Sequence, residues 1–272
     1  QNEYDLIVQA RRQAGSAFKA IFYGKLLERG WRLDCKDEGD GPCRLYDFEP
    51  KISGPKNKRS SYSGVWIPMG RGKDPHPVQN FPYESMARYQ GVVSPQAALA
   101  ESRNSATESA VRGTFGSIAP PFWQIEIEGE LEDFAKRVGI TSKLDPSLTT
   151  PIGSTEVTLL EMARVFATYA RGCKKLGEYM TEGIKNAKGE PVEGHIPEEA
   201  KQVCDQRTSL QILRGLRGTI ELPHGTGAQA KAELGLQLIG KTGTATNNAG
   251  EATDNWFIGC TPSYCMAVWI GR

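Results

Sequence analysis

The chain has 272 residues, of which 39% are hydrophobic and 24% charged, so it is long enough for one large domain or two modest ones with a sizeable core. Its 33 Lys and Arg residues nearly balance its 32 Asp and Glu residues, and a net charge of +1 argues against the concentrated basic face that nucleic-acid binding requires. No run of about 18 apolar residues and no signal-peptide pattern predicts a membrane anchor or a leader within the chain.

The first predicted helix runs from Gly15 to Arg29 and places Ser16 in its first turn. One buried face is predicted from the i, i+3, i+4, i+8 spacing of the apolar residues Phe18, Ile21, Phe22 and Leu26. Gly30 is suited to ending the helix, because glycine adopts the left-handed backbone of a helix terminus without strain. Backbone N–H groups in a first helical turn have no partner within the helix, so those around Ser16 are predicted to be unpaired.

Residues 33–90 are rich in Pro, Gly, Ser and Lys and have no persistent period. This composition predicts a long loop with a few short pieces of structure. A loop of that length inside a domain is usually functional or partly disordered, and either property suits a flap beside an active site.

Further helices are predicted in the middle of the chain. Ser94 and Pro95 open one of them, as N-cap and first helical residue, and it ends near Ser102. The others span residues 131–138 before Gly139, residues 158–171 from the capping-box pair Thr158 and Glu161 to Gly172, and residues 209–216.

The C-terminal part of the sequence changes character. Residues 236–246, 255–260 and 264–270 are short apolar, β-branched or aromatic runs separated by turn residues, which predicts consecutive antiparallel strands. The sequence therefore predicts a helical body with a sheet that is assembled late in the chain.

The six cysteines do not form a C-x-x-C pair, and with His76, His195 and His224 scattered they predict no zinc site and no other metal or cofactor. Cys35 and Cys43 flank an acidic, Gly-rich loop and could close a disulfide. Cys260 and Cys265 flank a turn, and the same argument applies to them more weakly. The even count is compatible with an oxidising compartment without establishing one.

Three short elements carry candidate chemistry. They are Ser16-Ala17-Phe18-Lys19, Ser102-Arg103-Asn104 and Lys241-Thr242-Gly243-Thr244. Each is common enough to arise by chance, so their weight comes from their order, separation and placement on a helix, a loop and a strand. Together they predict one site for nucleophilic attack on an amide.

Ser16 is the candidate nucleophile and Lys19 its candidate base. An alcohol needs a base to remove its proton, and side chains at i and i+3 of a helix lie on the same face. A lysine acts as a base only if burial or a neighbouring positive charge lowers its pKa, and Lys241 could supply that charge.

The other two elements predict proton transfer and substrate binding. Ser102 could pass a proton to the leaving nitrogen, and Asn104 offers a donor and an acceptor to an amide substrate. Gly243 would let a substrate backbone approach closely. Thr242 and Thr244 could hold a carboxylate together with Lys241, and the backbone N–H groups of Ser16 and Thr244 could form an oxyanion hole.

These motifs resemble those of penicillin-binding proteins and class A β-lactamases, whose signature is S-x-x-K, a second Ser-containing element and K-T-G. The surrounding residues are similar to those of bifunctional (class A) penicillin-binding proteins. The similar segments are residues 11–15, 98–104, 156–163, 225–227 and 254–259. The resemblance runs from about Gln9 to Gly271 and is weakest across residues 33–90.

The resemblance implies an α+β fold, an antiparallel sheet flanked by helices with a helical subdomain, and one transpeptidase domain over residues 1–272. It also implies a serine D,D-transpeptidase that attacks the D-Ala–D-Ala bond of peptidoglycan stem peptides through an acyl-enzyme on Ser16 and is acylated there by β-lactam antibiotics. The site residues carried over are Ser16, Lys19, Ser102 and Lys241 for catalysis and Asn104, Thr242, Gly243 and Thr244 for binding.

The family further implies a setting for the domain, namely the extracytoplasmic (periplasmic) face of the bacterial inner membrane. Contact with the membrane would come only through an N-terminal anchor that, like the glycosyltransferase domain, is absent from this chain. Other cell-wall synthesis proteins are possible partners. The family's sheet has five strands, and we expect it to be incomplete here or completed by residues outside the sequence.

Two other functions remain open on the sequence. A serine β-lactamase shares the fold, but there is no E-x-x-L-N element between Ser102 and Lys241, and Arg103 stands where class A enzymes have Asp. A non-catalytic sensor or scaffold would keep the fold without turnover, although all three motifs are intact.

Overall fold

The computed structural model describes residues 5–34, 42–53, 61–67, 75–80, 89–112, 126–179, 181, 183–194, 199–234, 237–247 and 249–271. Its α-helices are α1 (Lys19–Glu28), α2 (Pro95–Ala100), α3 (Asn104–Arg112), α4 (Glu132–Val138), α5 (Leu159–Ala170), α6 (Gln206–Glu221) and α7 (Ala228–Leu234). In the part of the chain that is described, no helix combines the length and apolar character that crossing a membrane requires.

Strands are short except near the C-terminus. They are β1 (Arg12–Gln13), β2 (Leu45–Asp47), β3 (Lys51–Ser53), β4 (Ser61–Ser63), β5 (Trp66–Ile67), β6 (His76–Pro77), β7 (Gly91–Val93), β8 (Glu156–Val157), β9 (Lys174–Lys175), β10 (Gly183–Lys185), β11 (Pro191–Gly194), β12 (Lys201–Gln202), β13 (Ile239–Thr246), β14 (Ala252–Cys260) and β15 (Cys265–Gly271). The mixture of helices and antiparallel pairs is an α+β architecture, as the resemblance to the family implied.

The main sheet is formed by β13, β14 and β15 in that order, with both pairs antiparallel. This confirms the three strands predicted from the C-terminal sequence. Helices α5 and α6 pack against this sheet. Among the described residues it has three strands, and the other strands form separate two-stranded pairs.

Helix α1 runs through the middle of the core. It continues from a 3₁₀ turn, Gly15–Phe18, and contacts α2, α4 and α6. The helix was predicted correctly, but the prediction that only one of its faces is buried was wrong. Polar or small positions such as Lys19, Tyr23 and Gly24 are buried as well, because helices surround α1 on several sides.

The described parts of the loop-rich segment, residues 33–90, contain only short strands, as predicted. Strand β2 pairs with β7, which directly precedes α2, and Asp47 lies opposite Gly91. This pairing holds the loop-rich segment next to the loop between α2 and α3.

The predicted starts of α2 and α5 are confirmed by their caps: the Ser94 hydroxyl accepts a hydrogen bond from Ala97 N, and the Thr158 side chain accepts one from Glu161 N. The helix predicted over residues 209–216 is longer: it begins at Gln206, three residues before the first predicted one, where Asp205 caps it. Its glycines weakened the sequence pattern, yet Gly215 lets α6 lie close to α2: a Cβ there would come within 2.9 Å of Leu99.

Two disulfides join elements that pack together. Cys260 and Cys265 link β14 to β15, as their spacing suggested. Cys173 and Cys204 link the end of α5 to the start of α6, a pairing that the sequence analysis missed because the two residues are 31 positions apart. The predicted Cys35–Cys43 bridge stays a prediction, since Cys35 lies outside the described residues.

The capping box of α5 is part of a buried carboxylate site. Glu161 is 2% exposed and accepts hydrogen bonds from Thr158 N at 2.8 Å, Thr141 N at 2.7 Å and Ser142 Oγ at 2.8 Å. Burial alone would raise the pKa of Glu161, but hydrogen bonds from Thr141, Thr158 and Ser142 outweigh it and hold the pKa below its ordinary value. The ionised form of Glu161 therefore stabilises the fold.

We expect Glu161→Gln to lower the free energy of unfolding by about 1–3 kcal/mol at pH 7, because an amide group cannot accept from all these donors. A carboxylate whose pKa is lowered by folding stabilises the native state above its unfolded pKa and loses that effect as the pH falls. The difference between the variant and the wild type should thus shrink below about pH 4. Urea unfolding at several pH values measures it, with the exposed Glu156→Gln as control. A pH-independent difference would contradict the argument.

Candidate active site

Ser16 and Lys19 face each other across one helical turn. Ser16 lies in the 3₁₀ turn and Lys19 is the first residue of α1, so their spacing brings Lys19 Nζ to 3.1 Å from Ser16 Oγ. Lys19 is completely buried, which is rare for a lysine and requires compensating hydrogen bonds. The predicted proximity of the two side chains is confirmed.

The loop between α2 and α3 and the first residue of α3 supply those hydrogen bonds. Lys19 Nζ donates to the backbone oxygen of Ser102 at 2.7 Å and to Asn104 Oδ1 at 2.6 Å. Ser102 has φ = +60°, a left-handed conformation that few residues other than glycine adopt. The loop therefore turns sharply at Ser102 and points its peptide oxygen at Lys19.

Lys241 reaches the same loop from β13. Its Nζ lies 3.0 Å from Ser102 Oγ and 3.2 Å from the Thr242 backbone oxygen, and the side chain is completely buried. Lys19 Nζ is 3.4 Å from the same Ser102 hydroxyl. The Ser102 hydroxyl thus lies between two buried amines.

Burial changes the acidity of both lysines. It is the main reason why the pKa of Lys19 lies well below its ordinary value, and the charge of Lys241 lowers that pKa further, against opposing effects of Glu108 and Asp47. Burial also lowers the pKa of Lys241, to about 7. Burial thus favours the neutral amine in both lysines, and Lys241 can exchange a proton near neutral pH.

Strand β13 lies directly against the 3₁₀ turn. A Cβ at Gly243 would come within 2.3 Å of Ala14 O, and a Cβ at Gly15 would come within 2.5 Å of Thr244 O and 2.8 Å of Thr244 N. Gly243 was expected to let a substrate backbone approach closely, but the backbone that lies against it in the structure is that of Ala14 in the same chain. This close approach brings the backbone of Thr244 next to the turn that carries Ser16.

Two further contacts hold this arrangement from outside. Gly15 N donates to Gly153 O at 3.0 Å, and Trp256 Nε1 on β14 donates to Gln13 O at 2.9 Å. Both bonds fix the chain immediately before Ser16.

Thr242 contacts Thr226, a residue to which the sequence assigned no role of its own. Thr226 appeared there only within residues 225–227, one of the segments similar to the family. Thr242 Oγ1 lies 2.7 Å from Thr226 Oγ1, and Thr226 N donates to Ala100 O at 3.1 Å. Thr226 therefore connects β13 to the end of α2 across the opening of the site. The side chain of Thr244 is exposed beside them.

The loop-rich segment also reaches the site, which the sequence suggested without naming residues. Asn104 Nδ2 donates to Gln79 O at 3.0 Å. A cavity of about 240 Å³ opens beside Asn104 and is lined by Ile67, Gln79, Thr149 and Ile152 among others. The cleft therefore continues past Asn104 toward β5 and β6.

Hydrogen bonds thus connect Ser16, Lys19, Ser102, Asn104 and Lys241, all of which were selected from the sequence. Thr242, Gly243 and Thr244 lie along the same strand edge. Among the described residues, no group of His, Cys, Asp and Glu side chains is arranged to hold a metal ion.

A family model described as "Penicillin binding protein transpeptidase domain" matches residues 82–271. The chain belongs to this family. The match includes the Ser102 and Lys241 elements of the penicillin-binding transpeptidase domain and begins after Ser16.

Curated relatives of this transpeptidase domain align over nearly the whole chain, including Ser16. Penicillin-binding protein 1A of Rickettsia conorii is 26% identical over 292 residues, covering 99% of this chain and 31% of the relative. Penicillin-binding protein 1A of Pseudomonas aeruginosa is 24% identical over 321 residues, covering 100% and 34%. The chain spans about a third of the length of these relatives.

Solved structures of penicillin-binding proteins share the fold. Penicillin-binding protein PonA1 from Mycobacterium tuberculosis superposes with a TM-score of 0.70 at 19% identity, covering 100% of this chain and 62% of that one. The imipenem acyl-enzyme of penicillin-binding protein A from M. tuberculosis gives 0.71 at 17% identity, covering 98% and 57%. The fold expected from the motifs is therefore confirmed.

Proposed function

We propose that the chain is a serine D,D-transpeptidase domain that cross-links peptidoglycan stem peptides through an acyl-enzyme on Ser16. One observation carries the proposal: a completely buried lysine, Lys19, lies 3.1 Å from the Ser16 hydroxyl in a family of transpeptidase domains. Ser102 and Asn104 of the second motif form hydrogen bonds with Lys19, and Lys241 of the third motif forms one with Ser102.

Lys19 is suited to act as the base that activates Ser16. A neutral amine has two N–H donors and one lone pair. The short contacts to Ser102 O and Asn104 Oδ1 use the two donors, which leaves the lone pair for the Ser16 hydroxyl. The lowered pKa of Lys19, caused chiefly by burial, favours the neutral amine that a general base requires.

Acylation then exchanges one bond for another. Ser16 Oγ forms a bond to the carbonyl carbon of the penultimate D-Ala while its proton passes to Lys19. The C–N bond to the terminal D-Ala breaks, and the nitrogen takes up a proton through Ser102, whose hydroxyl lies between Lys19 and Lys241. Attack by the amine of a neighbouring stem reverses these transfers and forms the cross-link.

The rest of the site is proposed to hold the substrate. The backbone N–H groups of Ser16 and Thr244 would stabilise the developing oxyanion, since the backbone of Gly15, next to Ser16, lies against that of Thr244. Thr242, Thr244 and Lys241 would bind the terminal carboxylate, and Asn104 would bind a stem amide. Gly243 keeps β13 close enough to the turn for both functions.

The setting of the domain is part of the proposal. Two disulfides among the described residues are typical of an oxidising compartment, which supports a location on the extracytoplasmic side of the inner membrane. The structures of PonA1 in complex with penicillin V and of penicillin-binding protein A as an imipenem acyl-enzyme support β-lactams as ligands of this chain.

Intact-mass measurement with benzylpenicillin tests the proposal. We expect a one-to-one adduct that persists for hours on the wild type and is absent from Ser16→Ala, while Ser263→Ala, which changes an exposed serine in the β14–β15 turn, keeps it. An adduct that clears within seconds would indicate a β-lactamase instead. No adduct on protein with a cooperative thermal transition would favour a non-catalytic member of the family.

A further inference from the structure

Arg103, the middle residue of the second motif, points away from the site into a buried pair. Its Nη1 donates to Asp47 Oδ2 at 2.7 Å and its Nε to Glu101 Oε2 at 2.9 Å. The side chains of Arg103 and Asp47 are 8% and 0% exposed. Arg103 therefore connects the motif to strand β2 of the loop-rich segment.

Asp47 also accepts hydrogen bonds from two groups other than Arg103. Its Oδ1 accepts from Asn80 Nδ2 at 2.6 Å and its Oδ2 from Gln90 N at 3.0 Å. Asn80 Oδ1 in turn accepts from Ser105 N at 3.0 Å, in the first turn of α3. Asp47 and Asn80 thus hold the chain on the C-terminal side of Ser102, through Arg103 and through Ser105.

The conformation of Ser102 requires such support. A residue other than glycine in the left-handed region costs on the order of 1–3 kcal/mol and persists only when its surroundings fix it. On the active-site side, Lys19 holds the backbone oxygen of Ser102. On the other side, the ion pair with Asp47 holds Arg103, the residue that follows Ser102. The two anchors lie on opposite sides of the strained residue.

Building on the proposed function, we propose that Asp47 is a positioning residue: through Arg103 it holds Ser102 in the conformation that places its hydroxyl between Lys19 and Lys241. A residue of the loop-rich segment, where resemblance to the family is weakest, thereby becomes part of the acylation machinery. Asp47 acts through Arg103 and does not itself touch the reacting atoms.

The charge of Asp47 has a second effect on the same site. The groups that face Lys19 are Lys241 on β13, Glu108 on α3 and Asp47 on β2. The last two raise the pKa of Lys19 against burial and Lys241. Removing the charge of Asp47 therefore lowers the pKa of Lys19 further. The acid limb of the acylation rate, which rises as Lys19 loses its proton, would move to lower pH.

The test is the pH dependence of acylation by benzylpenicillin in the whole chain carrying Asp47→Asn. We expect the plateau rate constant to fall by about ten- to a hundredfold, because small misplacements of a reacting group cost that much, and the acid limb to shift to lower pH. Glu49→Gln is the matched control: it removes a carboxylate two residues away that pairs with Lys51 at the surface, and its profile should match the wild type. Unchanged Asp47→Asn kinetics would overturn the proposal, and a lower plateau with an unmoved limb would overturn its electrostatic part.

Loss of stability has to be separated from loss of positioning, since removing the charge of Asp47 leaves the buried Arg103 with Glu101 as its carboxylate partner. The double variant Asp47→Asn/Arg103→Leu removes both charges of the Asp47–Arg103 pair and should recover part of the thermal stability while its acylation rate stays low. Recovery of the wild-type rate together with stability would mean that Asp47 is only structural. Failure of the wild type itself to form an adduct would instead refute the proposed function.

Discussion

Replacing Lys19 by methionine is expected to slow the acylation of Ser16 by about 10²- to 10⁴-fold, the usual contribution of a general base. Methionine has a similar length and suits a buried position, so the loss would come from the missing amine rather than from a cavity. Stopped-flow or quenched intact-mass kinetics with benzylpenicillin measures the rate constant.

Lys25→Met is the matched control for this substitution. Lys25 lies on the same helix but forms partly exposed ion pairs with Glu28 at 2.9 Å and Glu130 at 3.5 Å, so its loss should leave acylation unchanged. Lys19→Arg should be as slow as Lys19→Met, because a guanidinium stays protonated at every pH used. A fast Lys19→Arg variant would mean that Lys19 supplies only charge and that another group removes the proton from Ser16.

The second large effect is expected from Gly153→Ala. A Cβ at this position would lie 1.8 Å from Gly15 O, against the turn that carries Ser16, and φ is +97°. The backbone of one segment must move, so we expect a loss of about 3–5 kcal/mol in the free energy of unfolding, from overpacking and backbone strain together. Chemical denaturation measures this loss.

Gly189→Ala separates the two causes. Gly189 has φ = +82° in an exposed turn, with nothing within 4 Å of an added Cβ, so this variant carries the backbone strain without the clash. Its loss should be about 1 kcal/mol. Equal losses in the two variants would show that close packing between Gly153 and Gly15 contributes nothing. Acylation should slow only in Gly153→Ala, because only that position adjoins Ser16.

The sequence predicted those parts of the site that depend on local geometry. Ser16 and Lys19 are one helical turn apart, Ser102 follows a capped helix, and Lys241 lies in an alternating strand, so each position could be assigned from its neighbours. Their meeting at one point does not follow from any single local pattern; it was predicted from the order and placement of the three motifs together, and resemblance to the family supports it. The helix starts at Ser94 and Thr158 were equally local, since caps act within one turn.

What the sequence did not predict depends on packing between distant segments. The roles of Asp47 and Asn80 are invisible in a loop-rich stretch without period, because partners such as Arg103 lie far along the chain. Cys173 and Cys204 pair only because the end of α5 lies beside the start of α6. The full length of α6 was not predicted because its glycines interrupt the helical sequence pattern. These glycines are needed because α2 packs closely against α6.

The spread of the site along the chain has a consequence for folding. Lys19 and Ser102 are 83 positions apart and Ser102 and Lys241 are 139 apart, while Trp256 reaches back 243 positions to Gln13. Contacts of such separation close large loops and form late, after most of the conformational entropy has been lost. A refolding intermediate with helices but without a docked β13 would have no competent Ser16. Penicillin labelling during refolding would then report on the last step, the arrival of β13, rather than on collapse or helix formation.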